Sequence, residues 1–229
     1  MNICIIPARG GSKRIPRKNI KPFMGKPMMA YSIEAAIESK CFDRIIVSTD
    51  DEEIAALAKI YGAEIPFMRP LELADDHTAT VPVIKHAIEY LLDKGVEVDN
   101  VCCIYATAPF ISSGDLVSGL ELLTQHGCDY VLPVTTYTYP IQRSLKLNLN
   151  GFIEMNSPEN WEVRSQDLEE SYHDVGQFYW GKKESWLNSK PLLDNGSFPL
   201  VISRIRAQDI DTEEDWQQAE LMYKLIHNG

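Results

Sequence analysis

The chain has 229 residues, 45% hydrophobic and 24% charged, with a formal net charge of −11 at pH 7. That length is one good-sized domain, or one with a sizeable insertion, and it buries roughly 70% of the unfolded surface without help from disulfides. A disordered chain, a coiled coil and a disulfide mini-protein are excluded, and no apolar run approaches the ~18 residues of a membrane-spanning helix.

In chain order, Ile3–Ala8 reads as a strand, and Met29, Ile33, Ala36 and Ile37 give a helix face. Arg44–Ser48 is a second strand. Thr49 opens the next helix, with Glu52 three residues on as a capping box, Ile54, Leu57, Ala58 and Tyr61 as its buried face, and Gly62 as its end. Glu64–Phe67 reads as a short strand. Val81, Ile84, Ile88 and Leu91 line a further helix, followed by a strand at Val101–Tyr105, a helix at Leu116–Leu123 and a strand at Asp129–Val134. Strand–helix alternation with near-continuous apolar strands means a mostly parallel α/β sheet covered on both faces.

The alternation fails between about Tyr137 and Asp174, where the chain turns polar. Lys146–Ile153 reads as a β-hairpin around Asn150-Gly151. This stretch is an insertion, read as an arm for dimer contact. The core resumes at Gly176–Trp180, a strand follows at Pro199–Ile202, and a last helix is capped at Thr212 with Trp216, Ala219, Tyr223 and Ile226 on one face. Met1–Ala8 has no basic stretch and too short an apolar run for a secretory signal. The five cysteines are odd in number and none sits in a Cys-x-x-Cys spacing, which reads as reduced thiols in cytoplasm.

Seven of the 22 basic residues fall within positions 9–26, with no acidic residue before Glu34. Such a local positive field on an acidic chain suits a small anionic ligand better than a nucleic-acid polymer. The segment Pro7-Ala8-Arg9-Gly10-Gly11-Ser12-Lys13-Arg14-Ile15-Pro16-Arg17-Lys18-Asn19 follows the first strand directly. Ligands of open α/β sheets bind beyond the carboxyl ends of strands, where glycines let backbone N–H groups approach a phosphate and cations neutralise it. It is neither a Walker A loop nor a dinucleotide fingerprint.

A second signal is Gln208-Asp209-Ile210-Asp211 before the last helix. Alternate residues of an extended segment face one way, so Asp209 and Asp211 form the carboxylate pair that Mg²⁺ takes beside phosphates. Asp211 and Thr212 would serve equally well as helix caps. Arg69-Pro70 and Asp75–Thr80 form a polar loop that would read a base or merely cap a helix, and the lone Tyr172-His173-Asp174 reads as structural. No HExxH, Cys/His cluster or GxSxG elbow occurs.

Ala8-Arg9-Gly10-Gly11-Ser12-Lys13…Pro16…Lys18-Asn19 resembles the signature of the CMP-sugar synthetases that activate nine-carbon keto-sugar acids. So do Ser48-Thr49-Asp50-Asp51-Glu52…Ile54-Ala55, Arg69-Pro70…Glu72-Leu73-Ala74 and Asp209-Ile210-Asp211-Thr212-Glu213…Asp215, so that the likeness spans essentially the whole chain in order. Arg14–Asn19, Pro140–Arg143, Arg164–Glu170 and Tyr172–Gly181 are similar to the pseudaminic acid branch. Where the sialic acid enzymes carry Leu-Gln-Pro-Thr-Ser-Pro, this chain has Ile104-Tyr105-Ala106-Thr107-Ala108-Pro109, which favours a sister sugar.

The resemblance implies a Rossmann-like, mostly parallel sheet of the nucleotide-diphospho-sugar transferase type. It implies a single cytidylyltransferase domain over 1–229 with an inserted dimerisation and sugar-site arm at about 137–175. The implied reaction joins CTP and a nonulosonic acid into a CMP-sugar and pyrophosphate, in a cytoplasmic homodimer with neither nucleic acid nor membrane as partner. Arg9, Lys13, Asp209 and Asp211 would be catalytic. Ala8, Arg9, Gly10, Gly11, Ser12, Lys13, Lys18, Asn19, Arg69, Thr78 and Thr80 would hold the nucleotide. Tyr105, Gln142, Arg143, Arg164, Gln166 and Tyr179 would meet the sugar. Asp209 and Asp211 would bind Mg²⁺, with Mn²⁺ able to substitute. The alternatives are a CMP-sialic, CMP-legionaminic or CMP-KDO synthetase, a nucleotide-sugar-dependent glycosyltransferase, or a nucleotide-binding regulator without turnover.

Overall fold

Apolar runs become strands and 3.6-period segments become helices in the computed structural model, which describes residues 1–227. The chain runs β1 (Asn2–Pro7), a small ribbon β2 (Pro22–Phe23) and β3 (Lys26–Pro27), α1 (Met28–Ser39), β4 (Arg44–Ser48), α2 (Glu52–Ile60), α3 (Thr80–Asp93), β5 (Asn100–Ile104), α4 (Ser113–His126) and β6 (Tyr130–Thr136). It continues through the hairpin β7 (Leu145–Leu147) and β8 (Ile153–Met155) to β9 (Tyr172–Asp174), β10 (Phe178–Lys182), α5 (Lys183–Leu187), β11 (Ser197–Val201) and α6 (Glu213–His227). The main sheet has the order β11-β6-β10-β5-β1-β4, with β9 added beside β6.

Side-chain alternation divides the core into two layers. Cys4, Ile6, Val47, Cys102, Ile104, Phe178 and Trp180 face α1, α2 and α4. Ile3, Ile5, Ile46, Val101, Cys103 and Tyr179 face α3 and α5. Each fully buried Ile or Leu is worth about 1.5–3 kcal/mol of transfer free energy, so both faces of β1 and β5 stabilise the centre. A third apolar cluster joins Ile15, Phe23, Met28, Tyr31, Ile210 and Trp216, and thereby pins the basic loop to the segment before α6.

The sheet is mixed. β1 pairs in parallel with β4 and β5, and β11 with β6, but β10 runs antiparallel to β5 and β6, and β9 is antiparallel to β6. A parallel return from β6 would require a crossover, usually a helix, and the segment 137–171 supplies none, so the chain comes back reversed. α2 is capped by Asp51, not Thr49: the Asp51 side chain accepts from Glu53 N and Ile54 N, both at 3.0 Å, while Thr49 Oγ1 accepts from Asp51 N at 3.1 Å. Glu64–Phe67 forms no strand, only an Ile46–Glu64 bridge, because Pro66 has no N–H to extend a ladder. The 145–155 hairpin forms as expected, with Asn148 Oδ1 accepting from Asn150 N and Phe152 N at 3.0 Å.

Candidate active site

A cleft of about 230 Å³ opens at the carboxyl ends of β1 and β5. Arg9, Ser12, Lys13, Lys18, Asn19, Arg69, Thr78, Thr80 and Tyr105 all line it. Ala8, Gly10 and Gly11 are the backbone behind it; buried Ala8 extends β1 by donating its N–H to Ser48 O at 2.9 Å.

The two glycines differ in purpose. A Cβ on Gly10 would stand 2.7 Å from Asp51 Oδ2, and Gly10 N already donates to Asp50 Oδ1 at 3.0 Å, so Gly10 is there for close packing on the start of α2. Gly11 has nothing within 4 Å of where a Cβ would be and leaves its backbone open to a ligand. Arg17, in left-handed backbone at φ 56°, turns its guanidinium away to Asp51 and Glu53. Asn19 Nδ2 donates to Arg9 O at 2.9 Å and braces the loop from within. Asp50 and Asp51 are thus the hidden half of the loop; local pattern read the Thr49–Glu52 run as a helix cap, and only the family likeness set it beside the basic loop.

Two of the loop cations share one carboxylate. Arg9 lies 2.7 Å from Asp76 Oδ1, and Lys13 meets Asp76 Oδ2. Those bonds to Lys13 and Arg9 hold the Asp76 carboxyl below the usual carboxylate range. Sequence reasoning missed Asp76, although it lies in the polar run 75–80. Arg69 is buried against Ser48, and burial pulls its pKa down to about 10 against the pull of Asp50. Beside it stands the start of α3, whose N-cap Ala79 has no side-chain cap, so backbone N–H groups there are left for a ligand acceptor.

Ile210, buried in the third cluster, turns Asp209 and Asp211 outward. Lys18 Nζ donates to Ile210 O at 2.7 Å and Asp211 Oδ1 at 3.3 Å, and Arg14 lies 2.8 Å from Asp211. The basic loop and the Asp pair therefore meet across 192 residues of sequence. Partial desolvation, then the charge of Asp211, raises the Asp209 pKa against the attraction of Lys18. The ambiguity over capping is resolved: Thr212 caps α6 in a reciprocal box with Asp215, and the Asp211 side chain takes no part.

The expected sugar residues separate. Tyr105 lines the cleft and Tyr179 packs against it. Gln142 and Gln166 line a different cavity of about 530 Å³ within the arm. Arg143 donates to Val163 O and to Ser165 Oγ, and Arg164 pairs with Asp167 at 2.8 Å. None of these four lines the cleft of the same chain.

Glycine-assisted cations beyond β1, a buried Arg and an uncapped helix start give the cleft the chemistry of a polyanion site, with an outward carboxylate pair at its edge. The family model described as Cytidylyltransferase matches residues 3–203, and the chain belongs to that family, a family of nucleotidyltransferases. This membership excludes the glycosyltransferase alternative. A pseudaminic acid cytidylyltransferase of Campylobacter jejuni is 44% identical over 228 residues, covering 100% of this chain and 98% of that protein. A CMP-N,N'-diacetyllegionaminic acid synthase of Legionella pneumophila is 29% identical over 232 residues, 97% of this chain and 96% of its own length. The structure of a CMP:2-keto-3-deoxy-manno-octonic acid synthetase complexed with CTP superposes with a TM-score of 0.70 at 17% identity, covering 98% of this chain and 99% of that one, which establishes the shared fold.

Proposed function

We propose that the chain transfers CMP from CTP to pseudaminic acid, releasing pyrophosphate. The observation that carries this is the contact of the cleft-lining Lys18 and Arg14 with Asp211, which brings the carboxylate pair to the edge of the cleft, in a chain whose Campylobacter jejuni relative bears that activity in its name. The sugar's anomeric hydroxyl attacks the α-phosphorus in line, and such a transfer needs positioning and charge neutralisation more than covalent help. Arg9, Lys13, Ser12 and the Gly11 backbone hold the triphosphate. Arg69 and the uncapped start of α3 at Thr80 read the cytosine edge, beside Thr78, whose N–H is already given to Asp75 Oδ1 at 2.7 Å. Lys18 ties the loop to the Asp pair.

The carboxylate pair fits a hard cation. Asp209 has no ion-pair partner among the described residues and is repelled by Asp211, a repulsion that a cation relieves. These are two carboxylates, with no cluster of three or more metal-ligating groups among the described residues, which suits Mg²⁺ or Mn²⁺ sharing its shell with phosphates and water. Bound there, the ion supplies charge stabilisation at the α-phosphate and acidifies the attacking hydroxyl.

The working form is proposed to be a homodimer. Leu145, Leu147, Leu149, Phe152, Ile153 and Trp161 are exposed on the arm. Gln142, Arg143, Arg164 and Gln166, which do not line their own cleft, would meet the sugar only from a second copy. Cytoplasm is the proposed location; all five cysteines are free, and no described helix is long and apolar enough to cross a membrane.

Pyrophosphate release tests this reading. CTP with pseudaminic acid and Mg²⁺ gives release, while ATP or GTP gives far less. Equal turnover of purine nucleotides would contradict the cytosine assignment.

A further inference from the structure

Beneath Tyr105 lies a row of polar side chains that leads out of the cleft to the arm. Thr80 Oγ1 is 2.7 Å from the Tyr105 hydroxyl. Tyr179, on the neighbouring strand β10, is buried and meets Tyr105 edge-on, with ring centroids 5.6 Å apart at 83°. The Tyr179 hydroxyl donates to Asp174 Oδ2, and Asp174 Oδ1 accepts from Gly176 N at 3.0 Å. Asp174 ends β9, where the arm rejoins the sheet opposite Val134. His173 stands apart: its Nδ1 lies 2.9 Å from the Asp174 backbone carbonyl and its ring packs against Tyr137, so the adjacent His and Asp form no dyad.

A phenol has one proton to give, and an ionised carboxylate only accepts. With its proton committed to Asp174, Tyr179 offers its other side only lone pairs. Burial pushes the Tyr105 pKa up to about 12 and that of Tyr179 further still, so both rings stay neutral at ordinary pH. We infer that Asp174 is a positioning residue for the sugar acid: by holding the Tyr179 hydroxyl it fixes the ring against which Tyr105 packs edge-on, and with it the place of the hydrogen-bonded Tyr105 and Thr80 hydroxyls that meet the sugar. This rests on the reading that Tyr105 and Tyr179 face the sugar. It ties sugar recognition to the strand on which the arm returns.

The test is steady-state kinetics of the full chain with CTP and pseudaminic acid. Asp174→Asn keeps an oxygen for Gly176 N but turns an N–H toward Tyr179, which removes the acceptor that holds that hydroxyl. The expected result is a sugar KM raised roughly tenfold, with the CTP KM changed less than about twofold and an unchanged melting temperature. Tyr179→Phe gives the same pattern, and the double variant is no worse than the worse single, because both remove one bond. Asp174→Glu, which keeps an acceptor, recovers most of the sugar affinity. The inference is overturned if the two single effects multiply, if Asp174→Asn leaves the sugar KM unchanged while Tyr179→Phe raises it, or if Asp174→Asn raises both KM values and lowers the melting temperature together. If Asp174→Asn, Tyr179→Phe and Tyr105→Phe all leave the sugar KM unchanged, the placement of the sugar itself falls and the role of Asp174 falls with it.

Discussion

Gly10 and Asp51 are in contact so close that a Cβ on the glycine would stand 2.7 Å from Asp51 Oδ2. The nucleotide loop is seated on the first turn of α2, and its shape depends on that seat. Gly10→Ala is expected to cost about 1–3 kcal/mol of stability and to weaken CTP binding, because the cap or the loop must shift. Gly11→Ala, with nothing within 4 Å, is expected to leave the melting temperature alone. Thermal unfolding and CTP titration of the two variants check the contrast.

Asp51 also carries an acid sensitivity. Its hydrogen bond from Arg17, with support from Ile54 N and Glu53 N, lowers its pKa. A depressed carboxyl stabilises the fold above its unfolded value of about 3.9, and that contribution is lost as pH falls through the lower folded value. Asp51→Asn is expected to flatten the acid limb of the stability curve and to cost at most about 1 kcal/mol near neutrality through the lost Arg17 pair, since Asn caps a helix as well as Asp. Urea unfolding across the acid range measures both.

Asp76 occupies the two cations proposed to hold the triphosphate. Nucleotide binding must break those solvent-screened pairs, which are weak. Asp76→Asn is expected to tighten CTP and inorganic triphosphate binding roughly two- to fivefold. The ratio of wild-type to variant affinity should stay flat from pH 5 to 8, since the lowered pKa keeps Asp76 ionised throughout. Calorimetry at several pH values checks both statements.

Asp209→Asn and Asp211→Asn are expected to lose turnover by two or more orders of magnitude while CTP affinity changes little, because a cation acting on the α-phosphate favours the transition state. Neither should lower the melting temperature much. Thr212→Ala, which removes the actual cap of α6, should cost about 1 kcal/mol of stability and leave turnover near normal. Near-normal kcat in both Asn variants would remove the pair from the mechanism.

Leu147→Asp combined with Phe152→Asp places charge on the exposed apolar hairpin. The expected outcome is a monomer by light scattering that still binds CTP and has lost most of its turnover with sugar. A wild-type monomer at micromolar concentration would contradict the proposed dimer.

The sequence made legible those parts of the fold that depend on local periodicity. Both faces of β1 and β5, the hairpin at Asn150-Gly151 and the cap at Thr212 follow from alternation and turn chemistry. The reversed direction of β10 was not legible, because strand direction depends on how the chain returns from the arm rather than on Phe178–Lys182 itself. In the site, cation density and glycines marked the loop at Arg9–Asn19. The pairing of Asp76 with Arg9 and Lys13, the seating of Gly10 on Asp51 and the tie of Tyr179 to Asp174 are contacts between distant segments or across strands, to which no local pattern points.

Competition between two sugars decides which nonulosonic acid the enzyme activates. CTP, Mg²⁺ and the protein are incubated with equimolar pseudaminic acid and N-acetylneuraminic acid, and the CMP-sugars formed are separated by mass. CMP-pseudaminic acid is expected in large excess, with pyrophosphate in equal amount. CMP-N-acetylneuraminic acid as the main product, or consumption of CTP without any CMP-sugar, would contradict the proposed function.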